Sequence, residues 1–387
     1  MLLGASYAST MARRVLLAPD SFKGSLTAAE AAEAMARGVL ASGLEIAPDR
    51  CPIADGGEGT LQALASGLGA AVHTVRVTGP LGEPLNAPLC LRENGARAVV
   101  EMATAAGLTL VLPEQRSPMR TTSYGVGQLI AEALRAGARR ILVGVGGTAT
   151  NDGGAGLAQA LGVRFYDDCG LVTHPITGAD LGRLVRVDTI RLDPRLRGVE
   201  VLAACDVLAP LLGPEGSSRV YAPQKGATPD QVDELERGLA HLVQIVRPDS
   251  ALCDRGGAGG GAAFGLGLWC GAELRSGIDL ILDAVRFDER VAGCDLVLTG
   301  EGRLDGQSLS GKAVVGVARR AAARGVGVVA VCGSLGPGAE RALGEGIQAM
   351  FSACRGPMTE AEAVERAAEL LEASTAQVLL CRFGGRR

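Results

Sequence analysis

Four apolar, strand-like runs in this chain each end in a Gly-rich loop that carries acidic or hydroxyl side chains, and each loop leads into a helix-like segment. These junctions occupy residues 15–25, 53–60, 141–154 and 296–308. In open α/β sheets, ligands gather at the carboxyl ends of the strands, where loop N–H groups and helix N-termini hold anions. The repeated junction therefore predicts an α/β fold and an enzyme that handles phosphate.

The composition fits a globular chain and excludes several function classes. With 387 residues, of which 47% are hydrophobic and 21% charged, the length indicates two domains. A formal net charge of −4 argues against nucleic acid as a partner. No apolar run has the ~18 residues of a membrane span, and the N-terminus lacks the features of a signal peptide. We therefore expect a cytoplasmic protein with no membrane partner.

The cysteines and histidines argue against disulfide and zinc chemistry. None of the ten cysteines forms a C-x-x-C pair, and most lie in apolar runs, so we expect buried, reduced thiols in a cytosolic protein. The three histidines lack metal-ligand spacing with another His or Cys. A zinc site and a Ser-His-Asp triad are therefore not expected.

The order of the strand and helix patterns predicts two domains, one inserted into the other. An Asn-Gly pair at residues 94–95 joins two β-prone runs, which predicts a hairpin and hence a mixed sheet in the second domain. We place an inserted α/β domain at 79–283 and a discontinuous Rossmann-like, parallel-sheet domain at 13–78 and 284–387, with a ligand cleft between them. Residues 1–12 are expected to be a disordered extension, and either Met in that stretch could start translation.

Three local elements can be predicted in more detail. Thr27 and Glu30 have the spacing of a capping box at the start of a helix. A second helix is expected over 125–136, capped by the hydroxyl cluster at 121–123. Residues 326–332 should form a parallel strand.

The first two junctions carry candidate substrate-binding residues. Asp20, Ser21 and Lys23 follow the first strand, where a carboxylate, a hydroxyl and an ammonium group can converge on a small polar substrate; an ordinary N-cap cluster would look the same. The second junction combines two acids with glycines, and its candidates are Asp55, Gly56, Gly57 and Glu58. Glycines let the backbone approach a ligand closely, and the acids could bind Mg²⁺ or hydroxyl groups, unless the segment is a simple turn with solvated acids.

The third junction offers several backbone N–H donors but no Lys or Arg. It suits a nucleotide phosphate bound by the backbone, and its candidate residues are Gly147, Thr148, Thr150 and Asn151. In the Gly-rich segment 256–261, Gly257 and Gly259 are further nucleotide-binding candidates, although a mobile hinge is an equal alternative. Asp152 and Asp206 are the candidate Mg²⁺ ligands. The turn at 222–226 adds an amide and a lysine, or is merely a surface loop.

The fourth junction contains an incomplete phosphate-binding motif. Residues 306–312 fit G-x-x-x-x-G-K, but Ala313 stands where a P-loop has the Ser or Thr that ligates Mg²⁺. A true P-loop is therefore not expected. Lys312 remains a candidate nucleotide contact, because it lies in the first turn of a helix whose N-terminus attracts anions, or it is a solvated residue of a capped helix.

Five ordered motifs resemble those of the bacterial glycerate kinases of the glycerate 2-kinase type. They are APDSFKGS (18–25), PIADGGEGT (52–60), GTATNDGG (147–154), PQKG (223–226) and TGEGRLD (299–305). The resemblance runs from about residue 14 to about residue 375 and is far more specific than any one glycine loop. It implies a Rossmann-like domain with an inserted α/β domain, and ATP- and Mg²⁺-dependent phosphorylation of D-glycerate to 2-phosphoglycerate.

For such a reaction, the C2 hydroxyl of glycerate would attack the γ-phosphorus of ATP in line, which requires positioning and charge neutralisation more than covalent chemistry. Lys23, Arg303 and Lys312 are the candidates for holding the substrate carboxylate or the transferring phosphoryl group. Asp20 or Asp305 would orient or deprotonate the hydroxyl, since histidines are scarce.

Three alternatives remain at this point. Phosphorylation of the 3-hydroxyl differs from the main hypothesis only in regiochemistry. A nucleotide-dependent dehydrogenase lacks support, because no G-x-G-x-x-G directly follows a strand with an acid about twenty residues on. A non-catalytic binding protein for small hydroxy acids could also have two α/β lobes, but a periplasmic protein of that kind would need a signal peptide.

Overall fold

The computed structural model describes residues 13–54, 61, 70–205, 209–306, 308 and 313–385. The predicted extension 1–12 and six of the candidate site residues lie outside these ranges. These six are Asp55, Gly56, Gly57, Glu58, Asp206 and Lys312. None of the described helices is long and apolar enough to cross a membrane.

Short strands follow one another along most of the described chain. In order they are β1 (Arg13–Leu17), β2 (Ile46–Arg50), β3 (Ala71–Thr78), β4 (Pro84–Arg92), β5 (Arg97–Glu101), β6 (Arg140–Gly144), β7 (Arg164–Asp167), β8 (Gly170–Leu171), β9 (Leu184–Asp188), β10 (Glu200–Cys205), β11 (Glu273–Ser276), β12 (Leu296–Thr299), β13 (Arg303–Leu304), β14 (Val328–Cys332), β15 (Ser334–Leu335) and β16 (Ile347–Ser352).

Helices alternate with these strands. The described α-helices are α1 (Ala28–Ala41), α2 (Ala103–Ala106), α3 (Tyr124–Arg135), α4 (Ala155–Ala160), α5 (Ser217–Tyr221), α6 (Pro229–Val246), α7 (Ser250–Arg255), α8 (Ala262–Cys270), α9 (Gly277–Ala284), α10 (Phe287–Val291), α11 (Ala313–Ala322), α12 (Glu360–Glu365) and α13 (Ala367–Phe383). Single 3₁₀ segments lie at Leu108–Leu110, Pro113–Gln115, Gly178–Arg183, Pro194–Leu196, Pro223–Lys225 and Ala339–Glu345.

The chain divides into two compact units. Unit 1 comprises Met1–Ile53 and Leu282–Arg387, and unit 2 comprises Ala54–Ile281. The domain boundaries predicted from the sequence, at 78/79 and 283/284, stay a prediction. The first of them falls within a hairpin of unit 2, because β3 pairs with β4 along its whole length and the N–H of Gly79 donates to the carbonyl of Glu83 over 2.6 Å.

Unit 1 is built on a five-stranded sheet with the strand order β16-β14-β12-β1-β2, and every pair is parallel. The central strands β1 and β12 are apolar because a parallel sheet is covered on both faces, and Leu17 and Leu298 are completely buried. Since β1 and β12 are parallel neighbours, the loops that follow them lie at the same edge of the sheet.

Unit 2 is built on a six-stranded mixed sheet with the order β11-β10-β6-β5-β4-β3. The pairs among β11, β10, β6 and β5 are parallel, whereas β4 is antiparallel to both of its neighbours. Leu89, Ile141 and Phe264 belong to one large apolar core in this unit. The predicted fold class, a parallel-sheet domain with an inserted α/β domain that contains a mixed sheet, is confirmed.

Several local predictions are also confirmed. The N–H of Glu30 donates to Oγ1 of Thr27 over 3.2 Å, and the N–H of Thr27 donates to Oε2 of Glu30 over 2.8 Å, which completes the capping box of α1. The predicted hairpin joins β4 and β5, and Asn94 and Gly95 have the positive φ angles of 56° and 92° that such a turn requires. All ten cysteines are free thiols, and six of them are buried.

Candidate functional site

In unit 1, the loops after β1 and β12 lie against each other. The N–H of Asp20 donates to the carbonyl of Gly300 over 2.8 Å, and the N–H of Ser21 donates to Oδ1 of Asp20 over 2.6 Å. A Cβ on Gly302 would lie 3.3 Å from the backbone N of Lys23. The parallel register of the two strands therefore brings the first and fourth sequence motifs together, with Lys23 exposed to solvent.

Arg303 and Asp305 form an ion pair at the same edge of unit 1. Nε of Arg303 lies 3.3 Å from Oδ2 of Asp305, and their side chains are 62% and 24% exposed. The backbone N–H of Asp305 donates to Oγ of Ser308 over 3.3 Å. A Cβ on Gly336 would approach the side chains of both Arg303 and Asp305, so the β15 segment confines this pair without closing it to solvent.

A buried carboxylate also stands beside this edge. Glu301 is 9% exposed, and its backbone carbonyl accepts a hydrogen bond from the N–H of Gly333. Burial raises the pKa of the nearby Cys332 thiol to about 12; a backbone hydrogen bond from Glu301 opposes this rise, and the charge of Glu301 adds to it. The sequence placed Glu301 between strand and helix but gave it no role, because burial at a loop depends on the neighbouring strand.

Unit 2 contains a pocket of about 230 Å³ where three loops meet. It is lined by Leu108, Val145, Gly146, Gly147, Thr148, Cys205, Tyr221, Gln224, Lys225, Ala258 and Gly259. The third junction after β6, the turn at 222–226 and the Gly-rich segment thus share one cavity, although they are far apart in sequence. Most of the lining is apolar or backbone, and Lys225 supplies its positive charge.

Lys225 is 4% exposed and is held by oxygen atoms of the third junction. Its Nζ donates to Oγ1 of Thr148 over 3.2 Å and to the carbonyl of Thr150 over 2.7 Å. Burial lowers the pKa of Lys225 to about 7, and the negative charge of Asp152 partly opposes this effect. The amine of Lys225 therefore changes its protonation state near neutral pH.

Asp152, a candidate Mg²⁺ ligand, is completely buried in a hydrogen-bond network. Its Oδ2 accepts hydrogen bonds from the N–H and the hydroxyl of Ser123 over 2.8 and 2.7 Å, and from the N–H of Gly156 over 3.3 Å. Its Oδ1 accepts a hydrogen bond from the N–H of Gly154 over 3.1 Å. The same hydroxyl accepts from the N–H of Leu157 over 2.9 Å. Burial raises the pKa of Asp152, and these donors oppose that rise.

The predicted cap of α3 takes a different form from the expected one. Ser123 occupies the N-cap position, but its side chain makes no capping hydrogen bond to α3. It bonds to Asp152 instead, because the loop after β6 packs against the start of this helix. Asp152 and Ser123 thus join the N-terminal ends of α3 and α4, and the metal-binding role of Asp152 stays an untested prediction.

The turn that carries Lys225 is tied to both neighbouring loops. Nδ2 of Asn151 donates to Oγ of Ser218 over 3.0 Å, and Oγ of Ser217 donates to the carbonyl of Gly257 over 2.7 Å. Both serines belong to α5, which leads directly into the Pro223–Lys225 turn. The pocket wall is therefore fixed by side-chain hydrogen bonds on two sides.

Of the predicted nucleotide-binding residues, Gly147, Thr148 and Gly259 line the pocket. Thr150, Asn151 and Gly257 are not among its lining residues; Thr150 and Asn151 are completely buried. Oγ1 of Thr150 and Oδ1 of Asn151 have no hydrogen-bond partner among the described residues.

Glu101 is a charged residue that was absent from the predicted site, and Lys225 was predicted only as an additional lysine in a turn. Glu101 is 3% exposed at the end of β5, and its Oε2 accepts from the N–H of Leu61 over 3.0 Å. Leu61 directly follows the second sequence motif. A carboxylate at the end of an apolar strand was the available signal for Glu101, and the lysine within the PQKG motif was the signal for Lys225.

The described residues can be tested for their fit to Mg²⁺. No group of three or more His, Cys, Asp or Glu residues gathers in the part of the chain that the structure describes. Mg²⁺ differs from zinc in needing no such cage, because it is usually held by one or two carboxylates together with substrate phosphates and water. Within the described residues the predicted ligand is Asp152, and each of its carboxylate oxygens already accepts a hydrogen bond from the protein.

Three comparisons with known proteins agree with one another. A model of the glycerate kinase family matches residues 15–382. A glycerate kinase from Bacillus subtilis (strain 168) is 44% identical over 363 residues, which are 93% of this chain and 95% of the relative. A glycerate 2-kinase from Escherichia coli (strain K12) is 42% identical over 347 residues, which are 88% of this chain and 90% of the relative.

Similarity extends to a solved structure. The crystal structure of a protein from Salmonella typhimurium LT2, assigned as glycerate kinase 2, is 40% identical to this chain and superposes with a TM-score of 0.84. The match covers 97% of this chain and 99% of the other.

Proposed function

This chain belongs to the glycerate kinase family, and from that premise we propose that it transfers the γ-phosphoryl group of ATP to the 2-hydroxyl of D-glycerate, releasing 2-phosphoglycerate and ADP. The observation that carries the proposal is 42% identity to a glycerate 2-kinase over 88% of the chain. The five sequence motifs lie within the matched region, so the likeness includes the loops that would hold the reactants.

We assign the nucleotide to the loops of unit 2, with Gly147, Thr148 and Gly259 as contacts from the pocket lining. Thr148 offers a hydroxyl, and the glycines let the backbone approach a phosphate closely. Thr150, Asn151 and Gly257 would act behind this lining by holding the loops in place. Lys312 and Asp206 remain proposed contacts for the nucleotide and the metal.

The substrate and its reacting hydroxyl are assigned to the edge of unit 1. Lys23 and the forked guanidinium group of Arg303 would bind the carboxylate of glycerate or the transferring phosphoryl group. Asp20 would orient the 2-hydroxyl and accept its proton, while Asp305 would hold Arg303 through the ion pair. Ser21 and the second motif, with Asp55, Gly56, Gly57 and Glu58, would complete the substrate contacts.

Mg²⁺, when bound with ATP, would neutralise charge on the β- and γ-phosphate oxygens. Asp152 and Asp206 are its proposed ligands. The residues that act on glycerate itself are the cations and carboxylates of the β1 and β12 loops. Their contribution is to position the hydroxyl and to balance charge.

The test is a reaction of the purified full chain with D-glycerate, ATP and Mg²⁺, followed by phosphorus NMR of the product. L-lactate and a reaction without substrate serve as blanks. Appearance of 2-phosphoglycerate supports the proposal. Formation of the 3-phospho isomer would overturn the regiochemistry, and ADP release no greater than in the blanks would overturn the kinase activity.

A further inference from the structure

We infer that Lys225 is a ligand-binding residue of the unit 2 pocket, and that its ammonium group contacts an oxyanion of one of the two reactants. The oxyanion is either a phosphate of the nucleotide or the carboxylate of glycerate, which share the chemistry that a buried cation recognises. The choice between these two reactants rests on the proposed function, whereas the anion site itself rests on the geometry of the pocket.

The first support is the geometry around the ammonium group. Nζ donates to Oγ1 of Thr148 and to the carbonyl of Thr150, while an ammonium group has three N–H donors. Lys225 also lines the pocket of about 230 Å³. Two donors are therefore used to fix the side chain, and a third is left for an acceptor within the cavity.

The second support is that the described residues provide no carboxylate partner for this buried amine. Among the described residues, no carboxylate forms an ion pair or a hydrogen bond with Lys225. Asp152 is the acid whose charge reaches it, but the Asp152 oxygens accept from Ser123, Gly154 and Gly156. Because a buried charge is normally paired, an unpaired one at the wall of a cavity indicates that a bound anion completes the site.

The third support is the use of lysine in this chain. Of its 38 Lys and Arg residues only three are lysines, and they are Lys23, Lys225 and Lys312. Every other basic position uses arginine, which remains charged when buried and needs room for a planar fork. A lysine at position 225 provides a compact charge that the small pocket can accommodate.

The fourth support is that the surrounding backbone is held rigidly. The N–H of Leu108 donates to the carbonyl of Gly147, and the N–H of Ala149 donates to the carbonyl of Ala106, both over 2.8 Å. Gly226, which ends the lysine turn, has φ 94°, and a Cβ there would clash with the carbonyl of Arg116. The lysine and its two acceptors are thus pre-organised, as an anion site requires.

The test is a pair of calorimetric titrations of the full chain, one with ADP and Mg²⁺ and one with D-glycerate. Lys225→Met is compared with Arg219→Met, which removes an exposed cation from the preceding helix without touching the pocket. We expect Lys225→Met to weaken the binding of one of the two ligands by about tenfold or more. Arg219→Met should change the affinity for neither ligand. Weaker binding of ADP would identify a nucleotide phosphate as the oxyanion that Lys225 contacts. Weaker binding of glycerate would identify the carboxylate.

Retention of both affinities within about twofold in a folded Lys225→Met variant would overturn the inference. If that variant does not fold, the test is NMR of the wild-type chain with ¹⁵N-labelled lysine. The Lys23→Arg and Lys312→Arg variants assign the three lysine side-chain signals. A ligand-induced shift of the Lys225 signal supports the site, and an unchanged signal at saturating ligand overturns it. These titrations need no turnover, so they test the binding role of Lys225 even if the kinase assay shows no activity.

Discussion

The hydroxyl of Ser123 donates a 2.7 Å hydrogen bond to Oδ2 of Asp152, and both side chains are completely buried. The same hydroxyl accepts from the N–H of Leu157, so one oxygen connects the start of α3, the loop after β6 and the first turn of α4. These contacts lie behind the loop whose Thr148 and Thr150 hold Lys225. The pocket wall in unit 2 therefore depends on a buried polar network.

Ser123→Ala should lower the free energy of unfolding by about 1–3 kcal/mol, because it leaves Asp152 with one donor fewer and the buried N–H of Leu157 without its acceptor. Urea denaturation measures this change. Ser250→Ala is the matched control, since Ser250 is an exposed helical residue and should cost less than about 0.5 kcal/mol. Equal losses in the two variants would show that the network contributes no special stability.

Gly260→Ala should disrupt the contact between the Gly-rich segment and the third junction. Gly260 has φ 74°, and a Cβ there would clash with the carbonyl oxygen of Thr150, one of the acceptors of Lys225. Gly271→Ala is a close control, because Gly271 has φ 63° but nothing within 4 Å of its would-be Cβ.

The control should lose about 1–2 kcal/mol of stability from the left-handed backbone alone. Gly260→Ala should lose at least about 1 kcal/mol more of its unfolding free energy. It should also weaken the binding of the ligand that Lys225 contacts. Thermal and urea unfolding, with ADP and glycerate titrations, measure both effects. Similar behaviour of the two variants would mean that the loops can separate without cost.

Lys225 should make stability depend on pH in a predictable direction. Its pKa is lowered by burial from 10.5 to about 7, so between these values the unfolded chain binds more protons than the folded chain. The free energy of unfolding should therefore rise with pH across this window, by at most about 1.4 kcal/mol per pH unit, and this contribution should be lost as the pH falls through about 7.

The measurement is the difference in unfolding free energy between wild type and Lys225→Met at several pH values from neutral to alkaline. Within the part of the chain that the structure describes, Asp152 acts on this lysine and Tyr221 and Cys205 line its pocket, and all three remain in the variant. Their own titration therefore cancels to first order. A difference that stays constant with pH would contradict the lowered pKa.

The parts of the fold that follow from neighbouring residues could be predicted from the sequence. The capping box of Thr27 and Glu30 spans three positions, and the hairpin at Asn94 depends on a local turn. The strand patterns indicated the loops at the edges of the two sheets, and Gly147, Thr148 and Gly259 of those loops line one pocket. Their proposed roles still await experiment.

The remaining features depend on contacts between distant segments. The hydroxyl cluster at 121–123 was expected to cap α3; Thr122 accepts from the N–H of Tyr124, but the Ser123 hydroxyl bonds to Asp152, twenty-nine positions later. The burial of Lys225 depends on Thr148 and Thr150, more than seventy positions earlier. No local pattern reveals which acid or lysine a sheet edge will enclose, so the sequence could mark these residues without separating structural from ligand-binding roles.

Asp20 and Asp305 should respond differently to amide substitution. Asp305 is engaged with Arg303 at 3.3 Å, and Asp20, in the loop after β1, is our proposed base. Asp20→Asn should lower kcat by about 10²–10⁴-fold with little change in the KM for glycerate. Asp305→Asn should mainly raise that KM, because Arg303 loses the partner that orients it. Steady-state kinetics with glycerate varied at saturating ATP separate the two, and Asp233→Asn, in an exposed ion pair with Arg219, controls for the loss of a charge. A larger kcat loss in Asp305→Asn than in Asp20→Asn would reverse the assignment and make Asp305 the residue that accepts the proton.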